Sequence, residues 1–400
     1  MVATVDVAAS AEFYVTSLQA HRPPTTYKHP GAEPHGQWWN PDTVFQDARQ
    51  ETEHGKPASA GHFSRIYNGY HPVTGARLTR LSGHPKRCPG YDMTFTADKT
   101  ISALWAICPS QLRNTIEEIQ HAAAVSAIED IVKPYCAFTR IRLRDRTIRL
   151  VPADIMAALF QHGRARSQDP HLHTRSIIFN LARADHDGKL RSLHGYPLFL
   201  FQKAAGAAYR AEFAWLLWHR AGIATEPHGK ENELIRIPGF PPGLIELWSS
   251  RSAQIRQVSA QIAPDKGLSS YGKATLRNKT TNLKAPHLDG EIRHLDWLLD
   301  ALHYIPDTAA FLRTIVNPSS PLPTSRGQSA RAALDDLAER LSRAGRPIHS
   351  TALIASTINI TRGGFDRQER LLAIDEMLHH PKLTDFLHPP PAFSGKKIGT

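Results

Sequence analysis

Residues 150–184, "LVPADIMAALFQHGRARSQDPHLHTRSIIFNLARA", constrain the fold more tightly than any other part of the chain. Two apolar, strand-like runs flank the polar stretch "GRARSQDP", where Asp169-Pro170 favours a reversal of direction. In the second run His171, His173 and Arg175 fall at every second position. Alternate side chains of a strand share a face, so the three form one row. If the turn closes, His162 at the end of the first run meets His171 and His173. Imidazole is a common metal donor, whereas arginine stays protonated and suits an anion. A chain with 22 histidines also produces such pairs by chance, so packed or exposed histidines are the alternative that spacing alone allows.

Around this segment the pattern is α+β. "GYDMTFTADKTISALWAI" alternates as a strand from Tyr91 to Phe95, with Asp98 placed to cap a following helix. Asp92 lies on the strand face opposite Tyr91 and Met93, either at the surface or positioned to accept the outer N–H of a ligating histidine. Residues 111–131 predict a helix, "FTRIRLRDRTIRLV" two basic strands around Asp145 and Arg146, and "FAWLLWHRAG" the end of a long helix capped by Gly222. From about residue 285 the texture turns helical. Asn317 to Ser329 reads as a Pro/Ser linker, "ARAALDDLAERLSRAG" as an amphipathic helix, and "HPPPAFSGKKIGT" as a disordered tail. The expected division is therefore 1–285, a sheet-based domain, and 286–400, a helical extension.

Lysine and arginine total 48 against 37 acidic residues, a net charge of +11. That excess favours a polyanionic partner, nucleic acid before acidic membrane. The longest apolar runs are too short for a membrane span, and "MVATVDVAAS" lacks the basic start and apolar core of a signal peptide. The expectation is a cytoplasmic protein without membrane insertion. Cys88, Cys108 and Cys136 are odd in number and lack CxxC spacing, which argues against a disulfide framework or zinc cluster.

Together, "GYDMTFTADKTISALWAI", "FQHGRARSQDPHLHTRSIIFNLARADHDGKLRSL" and "YRAEFAWLLWHRAGI" resemble, in order, the segments of the TrwC/TraI-type (MobF) conjugative relaxases of the HUH superfamily. The resemblance runs from about residue 10 to 285. It implies a central antiparallel sheet flanked by helices, and site-specific nicking and strand transfer at a plasmid transfer origin through a 5′-phosphotyrosine. It implies single-stranded or hairpin origin DNA as substrate, with conjugation accessory and type IV secretion coupling proteins as partners. A divalent metal is implied as well, magnesium or manganese by resemblance, although imidazole ligands alone lean toward zinc or nickel.

By that resemblance His162 and His173 take the places of two metal ligands and Asp92 that of the histidine-orienting carboxylate. Arg175 stands where the family has a third histidine. Either His171 replaces that ligand, or Arg175 clamps the phosphate in the cation's stead, or nicking is lost. Phe13 occupies the first tyrosine position, leaving Tyr14 or Tyr27 as nucleophile. Arg164, Arg166, Arg175 and Lys99 are the expected DNA contacts. Two rival readings stand beside nicking: a catalytically degenerate remnant that binds origin DNA without cutting it, and a replication initiator using the same chemistry.

Overall fold

The structure is a computed structural model that describes residues 2–8, 11, 12, 14, 15, 36–165, 167–250, 253, 290–316, 324–362 and 364–388. Phe13, Tyr27, Arg166, the 285/286 boundary and the expected tail from residue 389 lie outside the described residues.

Seven strands form one sheet: β1 (Val2–Val7), β2 (Gln37–Trp39), β3 (Gly90–Thr96), β4 (Phe138–Arg142), β5 (Ile148–Arg164), β6 (Pro170–Ala184) and β7 (Leu190–Arg191). Their order is β1-β3-β6-β5-β2, with β4 also on β5 and β7 on β6. Every pairing is antiparallel. The principal helices are α1 (Ala60–Tyr67), α2 (Lys99–Ile107), α3 (Ser110–Ala127), α4 (Gln202–Ala221), α5 (Gly290–Leu302), α6 (Thr324–Ala344), α7 (Ser350–Thr361) and α8 (Arg367–Leu378). The expected α+β architecture is therefore the one observed.

Strand parity sorts the side chains into two cores. Met93, Phe95, Leu159, Leu172 and Ile178 share one core with the buried faces of α3 and α4. Phe160, Ile177, Phe179 and Leu181 enter the other, with Tyr14, Trp38, Phe63 and Tyr67. Each fully buried phenylalanine of that second core contributes roughly 2–3 kcal/mol. His171, His173 and Arg175 have the same parity as Ile177, Phe179 and Leu181, so they are the polar end of an otherwise apolar face.

Local signals set the helix ends. Asp98 is extended, and its carboxylate accepts from the Thr100 backbone N–H at 2.9 Å, which starts α2. Gly222 ends α4 in the left-handed region, φ 65°. One boundary differs from expectation: α6 begins at Thr324, inside the stretch expected to be a linker. The prolines stop at Pro323, and nothing after it removes a helical N–H.

The C-terminal helices have a cluster of their own, built on Ala330, Leu334, Leu353, Phe365 and Met377. They also join the main body. Ile354, Ile358 and Ile374 belong to the first core. Arg370 on α8 forms a buried ion pair with Glu212 on α4, and Arg367 binds Glu129 and Asp130.

His294 locks α5 to α2. It is 8% exposed, lies between Trp105 and Trp297 at ring-centroid distances of 5.0 and 4.9 Å, and hydrogen-bonds the Ala106 carbonyl through Nδ1 at 3.3 Å. Burial pushes its pKa down to about 4. The unfolded chain therefore takes up this proton first as pH falls. The neutral ring's contribution, about 3 kcal/mol, is present above pH 6.5 and is lost between about 6.5 and 4. Thermal melts at pH 7 and 4.5 should show His294→Leu losing less stability on acidification than the native chain; equal losses would remove His294 as the titrating group.

Candidate active site

The β5–β6 hairpin builds the row. Its turn is closed by Ala165 N–H to the Asp169 carbonyl (2.9 Å) and Gln168 N–H to the Ala165 carbonyl (3.0 Å). The Asp169 carboxylate accepts from Ser167 Oγ at 2.9 Å and from Ser250 N and Oγ at 3.1 and 3.0 Å. The resulting register sets His162 directly across from His173. Their rings lie 5.3 Å apart, and His171 and His173 lie 4.8 Å apart. The three expected histidines thus come together.

Two features that the sequence reading missed hold this geometry. A Cβ on Gly163 would fall 2.2 Å from the Trp105 ring, so only glycine lets β5 pass the tryptophan beside His162. On the face of the sheet away from the histidines, Gln120 of α3 donates to Thr174 Oγ1 at 3.0 Å and to the Phe95 carbonyl at 3.1 Å, and accepts from the Tyr209 hydroxyl. Thr174 sits between His173 and Arg175, so this buried network fixes the strand from behind. Its signal was readable: Gln120 is the polar residue in a helical face otherwise made of Ile116, Ile119, Ala123 and Ala127.

Burial keeps His171 and His173 neutral. His171 is pushed down to about 4 by burial, with the Lys99 ammonium adding to the effect. His173 lies well below the usual histidine range, again through burial first, then through His171 and His162. The Nδ1 of His173 faces the His171 carbonyl at 2.8 Å, a contact that needs Nδ1 protonated and leaves the Nε2 lone pair.

Asp92 is 4% exposed and does not orient a histidine as expected. Its Oδ2 accepts from Tyr14 OH at 3.0 Å and from Arg175 Nε and Nη2 at 2.9 and 2.5 Å, while Oδ1 accepts from Thr94 at 3.0 Å. The reason is register. Asp92 pairs with Ile177 and Thr96 with His173, so Arg175 stands between the carboxylate and the imidazoles. Arg175 also lies 5.6 Å from the Tyr14 ring centroid, a cation–π contact.

The donor chemistry suits a divalent ion, but the placement does not. Among the described residues no group of three His, Cys, Asp or Glu side chains is arranged to hold a metal. Tyr14 is 1% exposed, packed against Phe63, Tyr67 and Phe160 at 5.8–5.9 Å. Lys99 is a brace: Nζ donates to the Pro170 carbonyl at 2.7 Å, and burial pulls its pKa down to about 8. Arg164 is half-buried at the end of β5.

An antiparallel sheet carrying a histidine row at the turn of its central hairpin defines a class, and residues 8–294 match the family model described as TrwC relaxase. The chain belongs to that family. Two relatives, both the multifunctional conjugation protein TraI, one from Escherichia coli and one from its strain K12, are 27% identical over 344 and 348 residues. The alignments cover 78% of this chain and 18% of theirs, so the chain spans about a fifth of the length of these relatives. The conjugative relaxase TrwC with OriT DNA superposes with a TM-score of 0.61 at 19% identity in a metal-free structure and 20% in a metal-bound one. Each covers 76% of this chain and 98% of TrwC's.

The Asp92–Arg175 pair gives a direct stability test. Arg175→Met is expected to cost about 3 kcal/mol, because it strands a buried carboxylate, and adding Asp92→Leu should recover most of that loss. Urea unfolding of the native chain, both single variants and the double variant measures the coupling; strictly additive losses would show that the two side chains do not depend on each other.

Proposed function

We propose that this chain nicks one DNA strand at a transfer origin and holds the cut end on a tyrosine. The observation that carries the reading is the His162–His173 pairing beside Arg175 in a chain of the TrwC relaxase family. In the reaction a phenolic oxygen attacks phosphorus, the new O–P bond retains the 5′ side, and the P–O3′ bond breaks. The phenolic proton passes to an imidazole of the row, with His162 partly exposed, and a proton returns to the leaving 3′ oxygen. TrwC has metal-bound structures. A magnesium or manganese ion arriving in this chain would meet His162, His171 and His173 as donors.

The enclosure of Tyr14 and its bond to Asp92 favour Tyr27 as nucleophile, with Tyr14 as structural support for the site. Origin DNA fits the basic surface of the β4–β5 hairpin. Arg140, Arg142, Arg144, Arg146 and Arg149 are exposed there. The one acid of the tip, Asp145, is engaged by Thr147 N and Oγ1 at 3.0 and 2.6 Å. A two-stranded ribbon of this kind matches the width of a duplex major groove, as a hairpin stem offers. Accessory and secretion coupling proteins would be the partners of such an enzyme in the cytoplasm; among the described residues no helix is long and apolar enough to cross a membrane.

A second reading, origin binding without cleavage, is favoured by Phe13 at the first tyrosine position and by the engagement of Asp92 with Arg175. Labelled hairpin oligonucleotides spanning candidate nick sites separate the two on a denaturing gel. A covalent adduct is expected, lost in Tyr27→Phe and retained in Tyr14→Phe. Salt-sensitive binding with no adduct at any site would establish the second reading instead.

A further inference from the structure

We propose that the cationic charge of this site is supplied by Arg175 itself and that a divalent cation binds there only weakly. The proposal rests on the nicking reading for the identity of the anion served, a DNA phosphate, but its measurement does not. Three observations carry it.

The first is placement. Arg175 follows His173 by two residues on the same strand face, roughly 7 Å along β6, and its fork is held by the buried Asp92 carboxylate. A guanidinium held in that way cannot leave to make room for an ion, and it cannot ligate one.

The second is the charge balance. Asp92 is the buried carboxylate on this face, and Arg175 already neutralises it. Nearby acids are committed elsewhere or exposed: Asp169 to the turn through Ser167 and Ser250, Asp98 to its helix cap and His228, while Asp6, across from Asp92 on β1, faces solvent. An ion arriving at His162, His171 and His173 would find imidazole donors, no unspent buried carboxylate among the described residues, and the positive charges of Arg175 and Lys99 close by. Like charges in a partly buried site repel strongly.

The third is the donor geometry itself, which among the described residues closes no three-ligand group. Replacing Arg175 by histidine would change all three terms together. It removes a positive charge, frees the Asp92 carboxylate and adds an imidazole to the row.

Calorimetric titration of the full chain with manganese chloride alone tests this. The native chain should bind Mn²⁺ weakly, and Arg175→His should tighten binding by at least about tenfold, the scale on which groups around a metal act. Arg175→Lys, which keeps the charge, should bind as the native chain does. The double variant Arg175→His with Asp92→Asn should lose the gain. Tight micromolar binding by the native chain, or an unchanged affinity in an Arg175→His variant that keeps the native circular dichroism, would overturn the proposal.

A second arm repeats the adduct assay with Mn²⁺ or with EDTA. Equal adduct in both supports Arg175 as the resident cation, and adduct that requires Mn²⁺ refutes it. If no adduct forms in either, the nicking reading fails, and the titration still decides the role of Arg175.

Discussion

The site depends on one register. β5 and β6 are the two long central strands, and their antiparallel pairing sets His162 against His173 while delivering Ile177, Phe179 and Leu181 to the second core. A slip of one residue would turn the imidazoles and Arg175 toward the buried faces of α3 and α4 and expel the apolar residues. The register is therefore held by the core's own burial energy, and the site inherits its precision. Gly163 and the Asp169–Ser250 contacts fix the turn end of the hairpin, where burial alone would leave the strands free to fray.

Electrostatics at the row follow from the same packing. Because desolvation of these half-buried rings penalises their charged form, His171 and His173 stay neutral through the physiological range, so they act as lone-pair donors or proton acceptors and carry no charge of their own. The fixed charge resides in Arg175, its partner Asp92, and Lys99 beside His171. With one carboxylate against two cations, the site shares the positive sign of a chain of net charge +11. Attraction for DNA comes from surfaces such as the β4–β5 hairpin, while the row handles a phosphate once it has arrived.

Much of this was legible in the sequence, because strand parity is a strong signal. The shared face of His171, His173 and Arg175, the reversal at Asp169-Pro170, the Asp98 cap and the Gly222 stop all follow from local chemistry. The partner of Asp92 was not legible. Whether a carboxylate reaches a histidine or an arginine depends on the offset between β3 and β6, and periodicity fixes which face a residue occupies, not its neighbour across the strand. The brace made by Lys99 was hidden for a similar reason: a lysine at the start of a helix in a basic chain reads as a phosphate contact, and only the approach of Pro170 shows its ammonium already bound. The burial of Tyr14 depended on α1, whose Phe63 and Tyr67 enclose it from a distant part of the chain.

The C-terminal helices bear on the site through packing. α4 is clamped from outside by α7 and by the buried Arg370–Glu212 pair, and from within it carries Tyr209, which bonds Gln120, which in turn bonds Thr174 between His173 and Arg175. Removing one partner of a buried ion pair costs more than the pair contributes, so damage at Arg370 falls on α4. The polar network behind β6 then loses the helix that closes it, and a half-satisfied buried network is less stable than an apolar one. The C-terminal helices are in this way coupled to the geometry of the row, since the row is ordered from behind by groups that those helices hold in place.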